Sequence, residues 1–171
     1  MSQTLRWRPG FPLAIPHATT KDDTYQGYFI PANTTVIMNT WAINHNPDDY
    51  PSPDTFDPSR YIDSKFGTAT TSEADPWRRP SYAFGAGRRV CAGQRMAENS
   101  MLIAMAKLVW TFQIDPLGRR EDLDFSVRTG FKDAILTAPD EVGMKFEVRG
   151  GRRDVVEKEW KAKDAWLQRF E

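Results

Sequence analysis

The most constraining stretch of this chain runs Phe84-Gly-Ala-Gly-Arg-Arg-Val-Cys91-Ala-Gly-Gln-Arg-Met-Ala97, a glycine- and arginine-rich loop that holds the only cysteine and runs straight into a helical pattern. From about Gln94 to Phe112 the apolar positions Ala97, Met101, Met105, Leu108 and Phe112 recur at three- to four-residue intervals, which predicts one long helix. Met96, Met101 and Met105 read as core of that helix. Cys91 therefore stands just before a helix N-terminus, where free backbone N–H groups and the helix dipole favour negative charge. Arg88 and Arg89 add positive charge close by. All three effects favour the thiolate, the form of cysteine that binds metal. Gly85, Gly87 and Gly93 remove side chains around the sulfur and leave room for a bulky flat group.

An activated thiolate on a glycine-lined loop, with an arginine beside it, suits a haem: sulfur on iron, guanidinium on a propionate. The residues alone leave other readings open. From the residues alone, a buried, unreactive thiol at a helix start is the simpler reading of Cys91. A cysteine nucleophile paired with His17 or His45 is a third possibility. One Cys and two His lack any zinc-ligand spacing. Gly85-x-Gly87 lacks the third glycine of a dinucleotide fingerprint, because position 90 is Val90.

Around this loop the chain reads as a mixed α and β structure. Residues 1–8 look like a helix end, stopped before Pro9. A hairpin is predicted with arms Thr24–Ile30 and Thr34–Asn39 and a turn around Pro31-Ala32-Asn33. Thr40–Asn46 reads as a short helix, and Pro47–Pro80 as a long loop rich in Pro, Asp, Ser and Thr. Short strands are expected over Leu123–Val127, Asp133–Leu136 and Met144–Val148. Residues 151–171 read as a charged helical tail after a 1–150 body, with Trp160, Trp166 and Phe170 as anchors. A formal net charge of zero gives no global field for nucleic acid. A single cysteine excludes an intrachain disulfide, and no apolar run approaches a membrane span, so these residues read as soluble.

The pattern Phe-x-x-Gly-x-Arg-x-Cys-x-Gly, filled by Phe84, Gly87, Arg89, Cys91 and Gly93, resembles the cysteine-loop signature of the cytochrome P-450 family. The resemblance covers nearly the whole chain. Thr4-Leu5-Arg6-Trp7-Arg8-Pro9 resembles the end of the family's Glu-x-x-Arg helix, and Pro12 to His17 the strand that passes the haem edge. Tyr28-Phe29-Ile30-Pro31 resembles the hairpin before the segment Trp41-Ala-Ile-Asn-His-Asn-Pro47. Phe56-Asp-Pro58-Ser-Arg60-Tyr61 resembles the Pro-x-Arg-Phe element.

The resemblance implies an α+β fold, the C-terminal part of the family's fold: the end of the K-type helix, a β-hairpin, the meander loop, the cysteine loop, the long L-type helix and small antiparallel sheets. It implies haem b (iron protoporphyrin IX) with Cys91 as axial thiolate, Phe84 packed beside the sulfur, and Arg89 and His17 on propionates. It implies a monooxygenase that inserts one atom of O2 into a small organic substrate, fed by an NADPH-dependent reductase, in the style of fungal microsomal members of secondary metabolism. The full-length type would be anchored in the endoplasmic reticulum; no anchor is encoded in these residues. Arg60 and Arg6 would join one structural ion-pair network with position 3.

Two departures stand out. The Glu-x-x-Arg motif is here Gln3-x-x-Arg6, which leaves Arg6 and Arg60 without their anion, at a cost of ~3–5 kcal/mol if buried. A weakened or mispositioned network is the expectation. Second, no Ala-Gly-x-Asp/Glu-Thr pattern of the family's distal helix occurs, so no catalytic residue is expected in this chain, and the 171 residues alone are expected to be inactive. A missing N-terminal portion would be the partner. The competing reading is a non-catalytic relict or interaction protein that reuses the haem-binding end of the fold.

Overall fold

The fold is described from a computed structural model covering residues 1–68, 78–132 and 136–167, the last four by backbone alone. The described chain separates into two compact units, Met1–Gln94 with Phe131–Ala138, and Arg95–Gly130 with Pro139–Glu171. The helices are α1 (Ser2–Trp7), α2 (Thr40–Asn44), α3 (Gln94–Thr111) and α4 (Arg153–Leu167). The strands are β1 (His17–Ala18), β2 (Asp23–Tyr25), β3 (Tyr28–Ile30), β4 (Thr35–Val36), β5 (Phe112–Pro116), β6 (Phe131–Lys132), β7 (Ala138–Pro139) and β8 (Met144–Val148). They pair two by two, β1 with β4, β2 with β3, β5 with β8 and β6 with β7. The mixed α and β character expected from the sequence is what is found.

In the first unit the hairpin differs from the predicted one. Its turn lies at Gln26-Gly27, and β2 pairs with β3 in the register Asp23↔Ile30, Thr24↔Phe29, Tyr25↔Tyr28. Both turn residues have positive φ, 50° and 84°. That geometry matches the twist of two paired strands, and glycine takes it without a Cβ penalty. The turn at Pro31-Ala32-Asn33 also forms, with Thr34 N–H donating to Pro31 O at 3.3 Å. It sends the chain to β4, which pairs with β1 through His17↔Val36 and Ala18↔Thr35. The second predicted arm therefore belongs to another sheet.

α2 forms where a short helix was predicted. Asn39 caps it, its side-chain oxygen accepting from Ala42 N–H at 2.9 Å. From Pro47 onward the described residues form loop, broken by a 3₁₀ turn at Pro58–Tyr61 whose first carboxylate, Asp57, accepts from Ser59 N–H. The centre of this unit is polar. Gln3, Arg6, Thr40 and Asn44 are buried beside Tyr50, which is 2% exposed.

In the second unit α3 spans Gln94–Thr111, within a residue of the predicted helix. Its expected core is not there. No residue of α3 is buried, and Met96 is 73% exposed. Leu102, Ile103, Val109 and Trp110 are exposed as well, so apolar side chains point in every direction. A helix that is apolar all round is one designed for burial on several sides. This chain supplies no such cover among the described residues.

α3 passes directly into β5, a strand not expected from the sequence beyond Phe112, the last residue of the predicted helix. β5 pairs with β8 from Phe112↔Val148 to Pro116↔Met144, and Phe112 packs edge-on against Phe146 at 5.7 Å. Arg149 closes the junction: its Nε donates to the carbonyls of Val109 (3.0 Å) and Phe112 (2.9 Å). The Val109 carbonyl lies in the last turn of α3, where the helix leaves it without an intrahelical partner, and Phe112 opens β5.

The strand predicted at Leu123–Val127 is absent. Asp124 accepts from Ser126 N–H at 2.8 Å and Gly130 N–H donates to Ser126 O at 2.8 Å, so local turn bonds replace a ladder. The strand predicted at Asp133–Leu136 falls largely outside the described residues. α4 forms in the charged tail, but Trp160 is 70% exposed and anchors nothing. The side chains of Trp166 and Phe170 are outside the described residues.

Candidate haem-thiolate site

The loop from Tyr82 to Gln94 is closed by a short series of backbone hydrogen bonds. Gly85 N–H donates to Tyr82 O (3.0 Å), Val90 N–H to Gly87 O (3.2 Å), and Gln94 N–H to Cys91 O (3.2 Å). The bond that shapes the loop joins its ends: Cys91 N–H donates to Phe84 O at 2.9 Å. It brings the first and eighth residues of the stretch together and turns the peptide back on itself. Gly85 and Gly87 make that reversal at φ of 81° and 66°, a region other residues rarely adopt. A 3₁₀ turn at Gly87–Arg89 fills the middle.

The sulfur stands in the open. Cys91 is a free, exposed thiol, three residues ahead of the first residue of α3. A Cβ built on Gly93 would lie 3.8 Å from Cys91 Sγ, and one built on Gly87 would meet nothing within 4 Å. Phe84 is half-buried at the base of the loop, and Arg88 and Arg89 are exposed. No carboxylate among the described residues pairs with either arginine. A soft sulfur donor, bare glycine backbone and an uncommitted guanidinium are the parts an iron macrocycle with carboxylate side arms requires. The residues present fit that group.

His17 is exposed on β1, paired across the sheet with Val36. His45 is committed elsewhere. Its ring stacks on Trp41 at 3.7 Å, its Nδ1 lies 3.0 Å from Trp41 O, and its side chain is 8% exposed. Burial holds its pKa below the ordinary histidine value, with the Trp41 carbonyl acting in the opposite direction.

Gln3, Arg6 and Arg60 come together at α1. Gln3 Oε1 accepts from Arg6 Nε at 3.0 Å, and Gln3 Nε2 donates to Thr55 O at 3.2 Å. Arg6 Nη1 donates to Asn44 O (2.8 Å), and Nη2 to Pro53 O (2.8 Å) and Thr55 O (3.3 Å). Arg60 Nη2 donates to Pro51 O and, at 3.0 Å, to Ser52 O. Backbone carbonyl dipoles thus stand where a carboxylate would have offset the two cations. The offset is incomplete: burial, then the charge of Arg60, push the Arg6 pKa below its ordinary value, with Tyr61 opposing. Arg60 Nε is buried with no hydrogen-bond partner.

The architecture of this loop and clamp matches one family. A family description, Cytochrome P-450, matches residues 2–146. The chain belongs to the cytochrome P-450 family. It is 42% identical over 142 residues to a cytochrome P-450 monooxygenase of Aspergillus ruber, fogE, covering 81% of this chain and 26% of that protein. Against the cytochrome P-450 monooxygenase patI of Aspergillus clavatus it is 33% identical over 174 residues, covering all of this chain and 32% of that protein. Among solved structures, a zebrafish cytochrome P-450 determined with abiraterone superposes with a TM-score of 0.70 at 25% identity, covering 87% of this chain and 31% of that one. The chain thus spans about a quarter to a third of the length of these relatives. The family is one of haem-binding oxidoreductases. No helix among the described residues is long and apolar enough to cross a membrane.

Three site-supporting residues were missed in the sequence: Asp49, Tyr50 and Arg78. Arg78 Nη1 pairs with Asp49 Oδ1 at 2.8 Å, and its guanidinium lies over the Tyr50 ring at 5.6 Å. Nothing in the spacing of residues 49, 50 and 78 announces such a contact. The one available signal was a Tyr next to an Asp in a loop rich in Pro, Asp, Ser and Thr.

Proposed function

We propose that this chain is the haem-binding part of a haem-thiolate monooxygenase, in which Cys91 would hold haem b through its sulfur. The observation that carries the reading is the loop closure Cys91 N–H to Phe84 O, which holds an exposed sulfur on glycine backbone just ahead of α3. Cys91 would hold the iron. Arg89 and His17 would pair with propionates, and Phe84 would pack beside the sulfur and shield it from water. Gly87 and Gly93 would let the ring lie against the backbone. When bound, the haem supplies oxygen-activating chemistry of the kind the family uses. This chain's own part would be to hold the sulfur at one place and to neutralise the propionates.

The substrate proposed is a small organic molecule, by analogy with relatives that are named monooxygenases in Aspergillus. The electron donor would be an NADPH-dependent reductase, and the remaining two-thirds of the family's length would supply the distal face. For the family's full-length type a membrane of the endoplasmic reticulum is the proposed location. Haem titration into the purified chain, followed by the Soret band of the reduced carbon monoxide complex, tests the reading. A thiolate-type red-shifted band that disappears in Cys91→Ser is expected. The same spectrum in Cys91→Ser and the parent would refute it.

A further inference from the structure

Tyr50 is 2% exposed, and two guanidinium groups lie over its ring, Arg6 at 5.1 Å and Arg78 at 5.6 Å. Arg78 is itself nearly buried, with its side chain 8% exposed, and it pairs with Asp49, 18% exposed, at 2.8 Å. Asp49 is held in turn, its Oδ2 accepting from Asn46 Nδ2 at 3.1 Å. Arg78 Nε and Nη2 are buried with no hydrogen-bond partner. A planar cation in that state has the Asp49 carboxylate, the Tyr50 hydroxyl and the Tyr50 ring to offset its lost water. Leaving that place would cost Arg78 its carboxylate and its ring contact together, so the location of Arg78 is tightly specified.

Arg78 precedes Phe84 by six residues. The intervening peptide has little slack. Pro80 fixes one φ, Ala83 N–H donates to Ser81 Oγ at 3.2 Å, and Gly85 N–H donates to Tyr82 O at 3.0 Å. An extended six-residue tether spans at most roughly 20 Å, and turns shorten it further. Phe84 then supplies the carbonyl that holds Cys91. The Tyr50 ring also lies under Arg6, which grips Gln3 and the carbonyls of Asn44, Pro53 and Thr55.

We infer that Asp49, Tyr50 and Arg78 form a positioning cluster for the cysteine loop, registering the peptide that leads to Phe84 on the same ring that Arg6 holds from α1. Its meaning for catalysis rests on the haem-thiolate reading. Its test uses haem-free chain, so the two can fail separately.

The test is amide hydrogen exchange on the full 171-residue chain, comparing Cys91 N–H with the amides of the β5–β8 ladder. Arg78→Leu and Asp49→Asn are each expected to lower protection of the Cys91 amide about tenfold and leave the ladder unchanged. The double variant should lower it by no more than about twofold beyond either single variant, because both remove one coupled contact. Arg78→Lys keeps a cation opposite Asp49 and should recover part of the protection. If Arg78→Leu does not fold, Asp49→Asn and Arg78→Lys decide between them. An unchanged Cys91 amide in Asp49→Asn and Arg78→Lys overturns the inference. So does a loss shared equally by the β5–β8 amides, or a double variant whose effects simply add.

Discussion

Replacing Arg6 by methionine tests whether the polar centre at α1 is a main source of order in the first unit. The substitution deletes four hydrogen bonds, to Gln3 Oε1 and to the carbonyls of Asn44, Pro53 and Thr55. Thr55 O keeps Gln3 Nε2 as a donor. Three acceptors are then stranded, and each buried orphan costs ~1–3 kcal/mol. Two effects reduce the total. The Pro53 contact is only partly buried, and removing the guanidinium relieves the burial that lowers its pKa. The expected net loss is about 2–4 kcal/mol, a large fraction of a domain's usual stability of roughly 5–15 kcal/mol. Urea unfolding followed by tryptophan fluorescence reads it, since Trp7 Nε1 donates to Asp54 O beside the clamp. Arg119→Ala is the control. Arg119 is 73% exposed although paired with Asp122, and its loss should cost at most about 0.5 kcal/mol. An Arg6→Met midpoint that moves no further than the control's would refute the reasoning.

Gln3→Glu should stabilise the chain by about 1 kcal/mol at neutral pH, because a carboxylate turns the Arg6 Nε contact into a charge-assisted bond and Thr55 O retains Arg6 Nη2; an unchanged or lower melting temperature would count against it. His45 is held neutral by burial, with its pKa below the ordinary value. Its contribution is therefore intact above the unfolded histidine pKa of about 6.5 and is lost as pH falls below it toward the folded pKa. Melting temperature should drop between pH 7 and 5, and His45→Gln should flatten that slope; equal slopes would contradict the assignment. Gly130→Ala places a Cβ 2.2 Å from Asp124 O, so it should cost about 1–3 kcal/mol in urea unfolding, and a neutral result would mean the 124–130 turn is not formed as described.

Much of the site was legible because its chemistry is local. The glycines, arginines and cysteine of the loop lie within ten residues, and the helix after them announces itself by period. The same holds for α2 with its Asn39 cap and for β8. What escaped depends on partners distant in sequence. β4 reads as the return arm of a hairpin until β1 is known to claim it. β5 carries apolar residues in continuity with α3, and only its pairing with β8 separates strand from helix. Leu123–Val127 has strand-like residues, yet the Asp124 side chain offers the backbone a nearer acceptor. The Gln3 departure was visible, but its remedy by backbone carbonyls of Asn44, Pro53 and Thr55 was not. Carbonyl direction is a property of the folded backbone and has no residue code.

The bare helix α3 also governs how this polypeptide behaves in a tube. Its eighteen residues make a rod about 27 Å long, greasy on every side, with Ile103 56% and Val109 63% exposed. Copies in dilute buffer have an incentive to stick together, and more so as concentration rises. Melting points and titrations on it will then drift with dose unless each is repeated over a dilution series.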